Sequence, residues 1–274
     1  MAIKEYLDLL LKGAKEWNKF RESNPDAKPN LRSANLYDVN LSGANFFNAD
    51  LHGADLSGTD LSNANLSCAC LCAAMLNGTI LIDANLRKAD LHSAVLKSSD
   101  LRNADLYNAT LSGTDLRYTN LFGANLSHAN LGNANFQEAD LRDANFSSVD
   151  LSGADLRDAN LHDADLHDIN LSEAYLYGTN LCGANLFGAN LYHAKLQSAD
   201  LRDSILVSTN FEEANLQGTD ISGANIHNFK TTGWKIDGII CTHVYNYALE
   251  TNDEKREKSR INFKEGEFES KFKI

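Results

Sequence analysis

Proline, cysteine and long apolar runs are all scarce in this chain. Both prolines, Pro25 and Pro29, precede residue 30, so proline interrupts nothing after it. The five cysteines are an odd number, which gives no disulfide framework and favours a reducing cytoplasm. No segment approaches the roughly 18 apolar residues that cross a bilayer. Charged side chains interrupt the N-terminal segment where a signal peptide needs a continuous apolar core.

Basic residues are scarce in the middle of the chain. Residues 30–229 carry ten Lys and Arg against 24 Asp and Glu, a net charge of −14. Direct binding to nucleic acid or to an anionic membrane requires a basic surface. The composition therefore disfavours both, and no residue pattern calls for a cofactor.

A strict five-residue period fills the same segment. Every fifth residue from Leu31 to Ile226, the centre of each repeat, is Leu at 34 of 40 positions, with Phe or Ile at the other six. Two residues earlier, at the small position, 27 of the 40 residues are Ala. One residue earlier, at the polar position, 32 of the 40 are Asn or Asp. Such a pattern is typical of a repeat array and not of a domain built around one centre.

A period of five matches neither the 3.6 residues of a helical turn nor the alternation of a strand. The backbone must therefore turn a corner in every repeat. The centre and the small position can then both point inward, while the polar position and the two residues after the centre point outward. Gly, Asn and Asp, which are frequent among those two residues, tolerate turn and left-handed backbone angles.

The run Ala-Asp/Asn-Leu-x-x, as in Ala49-Asp50-Leu51 and Ala139-Asp140-Leu141, resembles the pentapeptide repeat family. The resemblance covers about 200 residues and implies the family's fold, an all-β solenoid. That fold is a right-handed quadrilateral β-helix with four repeats to a coil, so 40 repeats make about ten coils. With coils about 4.8 Å apart the array would be about 48 Å long.

The two ends of the chain lack the repeat and are expected to cover it. Residues 1–29 form the predicted N-terminal cap, in which an apolar stripe from Ile3 to Trp17 indicates a helix over 2–20. Residues 230–274 form the predicted C-terminal cap, starting where the repeat is lost at Thr231. The predicted domains are therefore 1–29, 30–229 and 230–274. Within the last, 250–260 reads as an exposed loop or short helix, and Ile261, Phe263, Phe268 and Phe272 are apolar anchors.

Two clusters carry residue types used in metal or acid–base sites. Cys68, Cys70 and Cys72 could supply thiolates, but their spacing is expected to point them in separate directions, which favours plain substitution of small residues. His162 and His167 each neighbour carboxylates, but on adjacent faces and with no nucleophile nearby. No catalytic, cofactor or metal site is predicted, and the chain is not expected to be an enzyme.

The regular Asn and Asp of the polar position are expected to bond exposed backbone at the turns. The pattern departs at a few polar positions that become candidates for contact with a partner: Cys70, Met75, Ile80, Val95, Tyr175, Lys195 and Ile205. A 20-residue coil would stack Met75 and Val95, with Tyr175 on the same face and Ile80 one face over. We expect an outward apolar patch of Met75, Ile80, Val95 and Tyr175; neutral drift on a tolerant surface is the alternative.

Acidic residues concentrate between Glu138 and Glu173. Ten carboxylates there face two arginines, a net charge of −8 in 36 residues. The segment could attract a basic partner, or it could be a solvated surface without a role. The residues predicted to contribute are Glu138, Asp143, Asp158, Asp163, Asp168 and Glu173.

The preferred functional hypothesis is a non-catalytic interaction scaffold or regulator that presents rigid acidic faces to a protein partner. It is expected to be a monomer or weak dimer, and the resemblance fits a bacterial origin. The alternative is a DNA mimic that binds a type II topoisomerase, as the resemblance to some family members implies, or another DNA-binding protein. Duplex DNA carries one charge per about 1.7 Å. A net charge of −14 over about 48 Å is half as dense, which makes mimicry the weaker hypothesis.

Overall fold

The computed structural model describes residues 3–246 and 259–272 in two units. The first unit spans Met1–Asp140 and contains two helices followed by coils of the repeat. The second spans Leu141–Ile274 and contains further coils, a pair of short antiparallel strands and a last helix. Each unit is built by the same rule from the same five-residue element.

Each repeat is closed by a β-turn. In the first, the carbonyl of Leu31 accepts a hydrogen bond from the amide of Ala34 (3.0 Å), and the residue between, Ser33, has a φ of 55°. The same arrangement recurs with the centre as the first residue of the turn. We call the two residues after the centre the first and second turn positions. A positive φ at the third residue of a turn is the type II requirement, which explains the Gly, Asn and Asp found there.

Successive coils are joined by parallel bridges between residues 20 apart, such as Asn35 and Asp55, each made of two backbone hydrogen bonds. The amide of Asp55 donates to the carbonyl of Ala34 (2.9 Å), and the carbonyl of Asp55 accepts from Leu36 (2.8 Å). In the first unit such bridges run from Asn30–Asp50 to Asn120–Asp140, and in the second from Asp150–Asn170 to Asn225–Tyr245. With one turn every five residues and bridges between residues 20 apart, each 20-residue coil contains four turns.

The inward side chains fill each coil. The centres are fully or almost fully buried, and so are the alanines of the small position. Where Thr replaces Ala, its hydroxyl is buried but satisfied: Thr59 Oγ1 donates to the carbonyl of Leu36 at 2.6 Å, and Thr79 repeats this with Leu56 at 2.8 Å. A buried hydroxyl without a partner would be destabilising, and the turn carbonyl removes that penalty.

The N-terminal segment forms two helices where the apolar stripe predicts one. Helix α1 spans Lys4–Leu10 and helix α2 spans Ala14–Ser23. The prediction of a single helix over 2–20 was wrong because Gly13, with a φ of 99°, breaks the chain between them. The stripe still packs inward at Leu10 and Trp17, which are fully buried.

Side chains of α2 bond to the edge of the first coils. Trp17 Nε1 donates to the carbonyl of Asn45 (2.8 Å), Asn18 Oδ1 accepts from the amide of the same residue (2.8 Å), and Arg21 donates to the carbonyl of Phe47 (2.8 Å). In later coils, the amide of the polar position and the carbonyls of the polar and first turn positions bond to the preceding coil. Side chains of the helix therefore make the hydrogen bonds that the backbone of a preceding coil makes elsewhere.

The coil backbone continues beyond residue 229, where the sequence pattern predicts its end. The bridges extend to Lys230, Lys235, Ile240 and Tyr245. The inward register is kept, but the residues differ: the buried ones are Trp234, Ile236, Ile239, Cys241 and Val244. Trp234, Ile239 and Val244 replace Ala at the small position, and Ile236 and Cys241 replace Leu at the centre, so the motif disappears from the sequence while the period persists.

The end of the second unit packs on this last coil. Strand β1, His243–Tyr245, pairs antiparallel with β2, Arg260–Asn262, and helix α3 spans Glu267–Phe272. Trp234 Nε1 donates to the carbonyl of Phe272 (3.3 Å), and Phe268 is buried beside it. Phe268 is thus an apolar anchor as predicted. Residues 250–258 of the predicted charged loop lie outside the described residues.

Trp17 should be the main anchor of the N-terminal helices. Its ring is fully buried, 5.6 Å from that of Phe46, and its indole nitrogen bonds the coil edge. Replacing Trp17 by Ala should destabilise the first unit by about 3–5 kcal/mol, measured by urea unfolding followed by circular dichroism. The exposed Lys15 of the same helix is the control, and Lys15→Ala should change stability by less than about 0.5 kcal/mol. Equal effects of the two would contradict the anchoring role.

Candidate functional site

The outward columns of the coils are the surfaces available for function. Residues 20 apart stack above one another, so each side of a coil carries one column of polar positions and one of first turn positions. The two columns are adjacent, because the side chain of the polar position bends over the turn that follows it. Asp55 Oδ1 accepts from the amide of Ser57 (3.0 Å), and Asn85 Oδ1 from that of Arg87 (3.1 Å).

This bond recurs in repeat after repeat, which confirms the predicted backbone-bonding role of the polar Asn and Asp. In the second unit the asparagines also bond to one another between coils, as in Asn180 Nδ2 to Asn160 Oδ1 (3.1 Å) and Asn210 Nδ2 to Asn190 Oδ1 (3.1 Å). The side chains of the polar Asn and Asp therefore make hydrogen bonds that stabilise the coils. A residue without an oxygen at this position gives up the turn bond, which makes each departure informative.

Met75 and Val95 are one such departure, in the first unit. They form a parallel bridge with each other, with Asp55 below and Asp115 above in the same column. The Met75 side chain is 43% exposed. The structure thus brings these two predicted residues together as stacked neighbours on one side of the coils.

Ile80 lies around the next corner of the same coil. It is 38% exposed and is bridged to Asp60 and Asp100. The half-buried Ile82 occupies the first turn position after it. The predicted patch therefore includes a second, adjacent side of the coil, and the sequence analysis overlooked Ile82 because it considered only the polar positions.

Tyr175 lies in the second unit. Its partner in the column is Lys195, whose Nζ lies 3.7 Å from the centre of the Tyr175 ring, a cation–π contact. Tyr175 is thus covered on one side by a charged group. Tyr175 therefore contacts Lys195 in the second unit, whereas the stacked pair of Met75 and Val95 belongs to the first unit.

The predicted acidic residues occupy corners on different sides. Glu138 is an exposed corner residue of the first unit, and all the others are exposed corner residues of the second: Asp143, Asp158, Asp163, Asp168 and Glu173. Four successive repeats complete a coil, so Asp158, Asp163, Asp168 and Glu173 point to four different sides. Among the acids of this set in the second unit, only Asp143 and Asp163, which are 20 residues apart, share a corner column. The acids surround the coil and do not form a flat patch.

Both predicted histidines have local partners. His162 Nδ1 bonds the carbonyl of Cys182 (2.8 Å), and its Nε2 lies 3.2 Å from the carboxylate of Asp163. His167 Nδ1 bonds Asp165 Oδ1 at 2.9 Å. That hydrogen bond and the carboxylate charge raise the pKa of His167 above its ordinary value. The two pairs are separate, as the sequence predicts.

The cysteines require a correction. The spacing of two was expected to point Cys68, Cys70 and Cys72 apart, but the Sγ atoms of Cys70 and Cys72 are 3.1 Å apart. Cys70 is at a polar position and Cys72 at the first turn position, the same pair of positions that the Asp side chain and the turn amide occupy elsewhere. Only Cys68, on the exposed corner, points away. Burial, first of all, and a hydrogen bond to Asp90 raise the pKa of the Cys72 thiol.

His52 was not predicted from the sequence as part of this cluster. It lies in the coil before Cys72, 20 residues earlier in the first turn column, and its ring nitrogen lies within 4.8 Å of both sulfurs. Applying the 20-residue stacking to the first turn positions would have found it.

The chain belongs to the pentapeptide repeat family. The family model, described as pentapeptide repeats, matches eight copies over residues 30–63, 64–103, 89–127, 124–163, 164–203 and 194–230. No curated protein matches the chain. In the parts that the structure describes, no helix is both long enough and apolar enough to cross a membrane.

Solved structures with sequence similarity are also pentapeptide repeat proteins. HetL of the cyanobacterium Nostoc sp. strain PCC 7120, involved in the regulation of heterocyst differentiation, is 31% identical over 83% of this chain and 95% of its own, with a TM-score of 0.30. A protein of the Arabidopsis thaliana thylakoid lumen is 34% identical over 41% of this chain and 71% of its own, with a TM-score of 0.28. QnrB1, a plasmid-mediated fluoroquinolone resistance protein, is 21% identical over 77% and 86%, with a TM-score of 0.30.

Glycine should be favoured at corners where a Cβ would collide with the carboxylate of the corner residue 20 positions earlier. Gly183 has a φ of +71°, and a Cβ there would collide with Asp163 Oδ1, whereas a Cβ at Gly78, with a φ of +62°, meets nothing within 4 Å. Both Ala substitutions pay the left-handed strain of about 1–2 kcal/mol, and Gly183→Ala should cost more because the carboxylate must move. Thermal unfolding of both variants measures the difference.

Removing the carboxylate supplies the control for this comparison. In an Asp163→Ser background, Gly183→Ala should cost no more than Gly78→Ala. A difference that persisted in this background would show that the collision is not the cause.

His167 should titrate above its ordinary pKa in the folded chain. Because the folded pKa exceeds the unfolded one, its contribution to stability is complete below the unfolded pKa and is lost as the pH rises through the folded pKa. Asp165→Asn should lower the NMR titration midpoint of His167, while Asp143→Asn should leave it unchanged. A midpoint insensitive to Asp165→Asn would contradict the hydrogen-bonded pair.

Proposed function

We propose that this chain is a non-catalytic interaction scaffold or regulator that presents the outer walls of its β-helix to a protein partner. The proposal is carried by the apolar side chains of Met75 and Ile80, which stand exposed at positions where the repeat places a backbone-bonding Asn or Asp. It is supported by the filling of the coils, since the centres and small positions are buried among themselves. Function then falls to the outward columns.

The proposed architecture behind these walls is a right-handed quadrilateral β-helix of about ten coils. Residues 1–29 act as an N-terminal cap, 30–229 as the repeat array, and 230–274 as a C-terminal cap whose first part continues the coil backbone. The N-terminal cap is supported by Trp17, Asn18 and Arg21, which satisfy backbone groups at the coil edge. Exposed edges invite pairing with other chains, so capping keeps the walls, and not the ends, as the contact surface.

The contact patch is proposed to consist of Met75, Val95 and Ile80, with Ile82 beside them. Side chains of this kind contribute about 1.5–3 kcal/mol each when a partner buries them completely. Because they follow two adjacent sides of the coil, the partner surface that fits them is a shallow apolar concavity around a corner.

The acidic corners are proposed to steer the partner's approach. Carboxylates of Asp143, Asp158, Asp163, Asp168 and Glu173 surround the coil, so they attract a basic partner from every side and favour no single orientation. Glu138 adds a charge in the first unit, and Tyr175 offers one ring face beside Lys195. The proposal places this encounter in a reducing cytoplasm, with the chain as a monomer or weak dimer.

Substitutions toward the repeat consensus test the apolar patch without disturbing the fold. Met75→Asp and Ile80→Asp restore the residue that the turn bond uses, so both variants should fold with unchanged circular dichroism. The partner is first isolated by photo-crosslinking from position 82. Each variant should then bind this partner at least about tenfold more weakly, or about 1.4 kcal/mol. Surface plasmon resonance with the purified partner measures this.

Asp55→Asn, a consensus exchange in the same column as Met75, is the matched control and should leave the affinity unchanged. Equal binding by wild type and both Asp variants would overturn the proposed patch. Inhibition of gyrase supercoiling by the purified chain, unaffected by these variants, would support the alternative of a DNA mimic instead.

A further inference from the structure

A cluster of metal-binding side chains lies on the side of the first unit that precedes the side of Met75 and Val95. One ring nitrogen of His52 and the sulfurs of Cys70 and Cys72 all lie within 4.8 Å of one another. All three residues are half-buried, so the cluster is neither enclosed in the core nor free in solvent. Its members come from two successive coils, which the bridge between Asp50 and Cys70 fixes in register.

The composition of the cluster is that of a zinc site. Thiolate and imidazole are the ligands that Zn²⁺ prefers, and two Cys with one His leave a fourth position for another ligand. At a Zn–S distance of about 2.3 Å, two sulfurs in a tetrahedral site are about 3.8 Å apart. The sulfurs of Cys70 and Cys72 at 3.1 Å need to separate by less than 1 Å, a change within reach of side-chain torsions.

Neighbouring residues in the two columns support this arrangement. Asp90 of the next coil forms a parallel bridge with Cys70, so its carboxylate belongs to the same column as the cluster and is the candidate for the fourth position. Below, Asp50 Oδ1 accepts from the amide of His52 (3.1 Å), and Asp50 is paired with Arg32 at 3.2 Å. These bonds hold the backbone beneath His52 and occupy the Asp50 carboxylate.

A comparison within the chain shows what distinguishes this place. His162 and Cys182 have the same 20-residue relation as His52 and Cys72, and both pairs occupy first turn positions. At that second place the polar position is Asn180, and its Oδ1 accepts from the Cys182 amide (3.1 Å). Only one sulfur is available there, and the His162 ring bonds a carbonyl and a carboxylate instead. The added thiol of Cys70 is what completes a ligand set.

We propose that His52, Cys70 and Cys72 bind a thiophilic divalent metal ion, Zn²⁺ in the first place, with Asp90 at the fourth position. Binding replaces the two thiol protons by one metal ion, so the two thiolates neutralise its charge and two protons are released. The ion joins two successive coils and stabilises the side on which it is bound. This site is independent of the proposed partner surface, and either proposal stands if the other fails.

Cobalt substitution in the full, reduced chain tests the site. After removal of metal with a chelator, Co²⁺ should bind one equivalent and produce a thiolate-to-cobalt charge-transfer band, which Zn²⁺ should abolish by displacement. Cys70→Asn, Cys72→Ser and His52→Ser restore residues common at these positions of the repeat, so they should fold normally by circular dichroism. Each should weaken Zn²⁺ binding by more than tenfold, and the two cysteine variants should lose the band.

Asp90→Asn should lower Zn²⁺ affinity by about 10–100-fold while the charge-transfer band remains. Cys68→Ser and Cys182→Ser are the matched controls, because each removes a thiol outside the cluster, and both should bind Co²⁺ as the wild type does. Zn²⁺ should also raise the melting temperature of the wild type but not that of Cys70→Asn.

Three results would overturn the proposal. The first is a reduced wild-type chain that gives no charge-transfer band. The second is a band that survives in both Cys70→Asn and Cys72→Ser. The third is a Cys70–Cys72 disulfide that persists under the reducing conditions of the titration, detected by mass spectrometry of alkylated peptides.

Discussion

The left-handed residue at every fifth position is the constraint on which this structure depends. It closes each β-turn and redirects the chain by one side of the coil, and 28 residues other than glycine adopt it within 3–246 and 259–272. An L-residue in this conformation carries a strain of about 1–2 kcal/mol. Each repeat offsets that strain with three backbone bonds to adjacent coils, a turn bond and the burial of one large and one small side chain. Apart from the local turn bond, these gains require adjacent coils, so stability here is a property of stacking.

From this constraint follows a division of labour among the five positions. The centre and the small position make the core, the turn positions make the corner, and the polar position serves the turn while facing outward. Because the turn bond of the polar position is one contribution among several, it can be given up locally. Met75, Val95 and Ile80 are places where the chain does so, and there the wall acquires an apolar character without any change of backbone.

Much of this arrangement could be predicted from sequence, because the information is local. The period of five gives the centre, the small position and the corner, and the abundance of Asn and Asp indicates a bond to the turn. Stacking of Met75 on Val95 followed from a coil of 20. The break at Gly13 escaped because an apolar stripe does not register the backbone angle of a single glycine. The coil beyond residue 229 escaped because Trp234, Ile236 and Ile239 keep the period but not the letters of the motif.

The cluster of His52, Cys70 and Cys72 could not be predicted from spacing along the chain alone, because its members come from two successive coils. If every outward side chain pointed straight away from the axis of the coil, residues two apart would diverge. The side chain at the polar position instead bends over the following turn and contacts the side chain at the first turn position. Contacts in this molecule are set by position modulo 20. Loss or gain of a whole coil would therefore leave the remaining columns aligned, whereas loss of a single pentapeptide between residues 53 and 69 would rotate Cys70 and Cys72 by one side away from His52. The array thus tolerates changes of length in steps of four repeats, and any smaller step misaligns the surfaces that residues of successive coils form together.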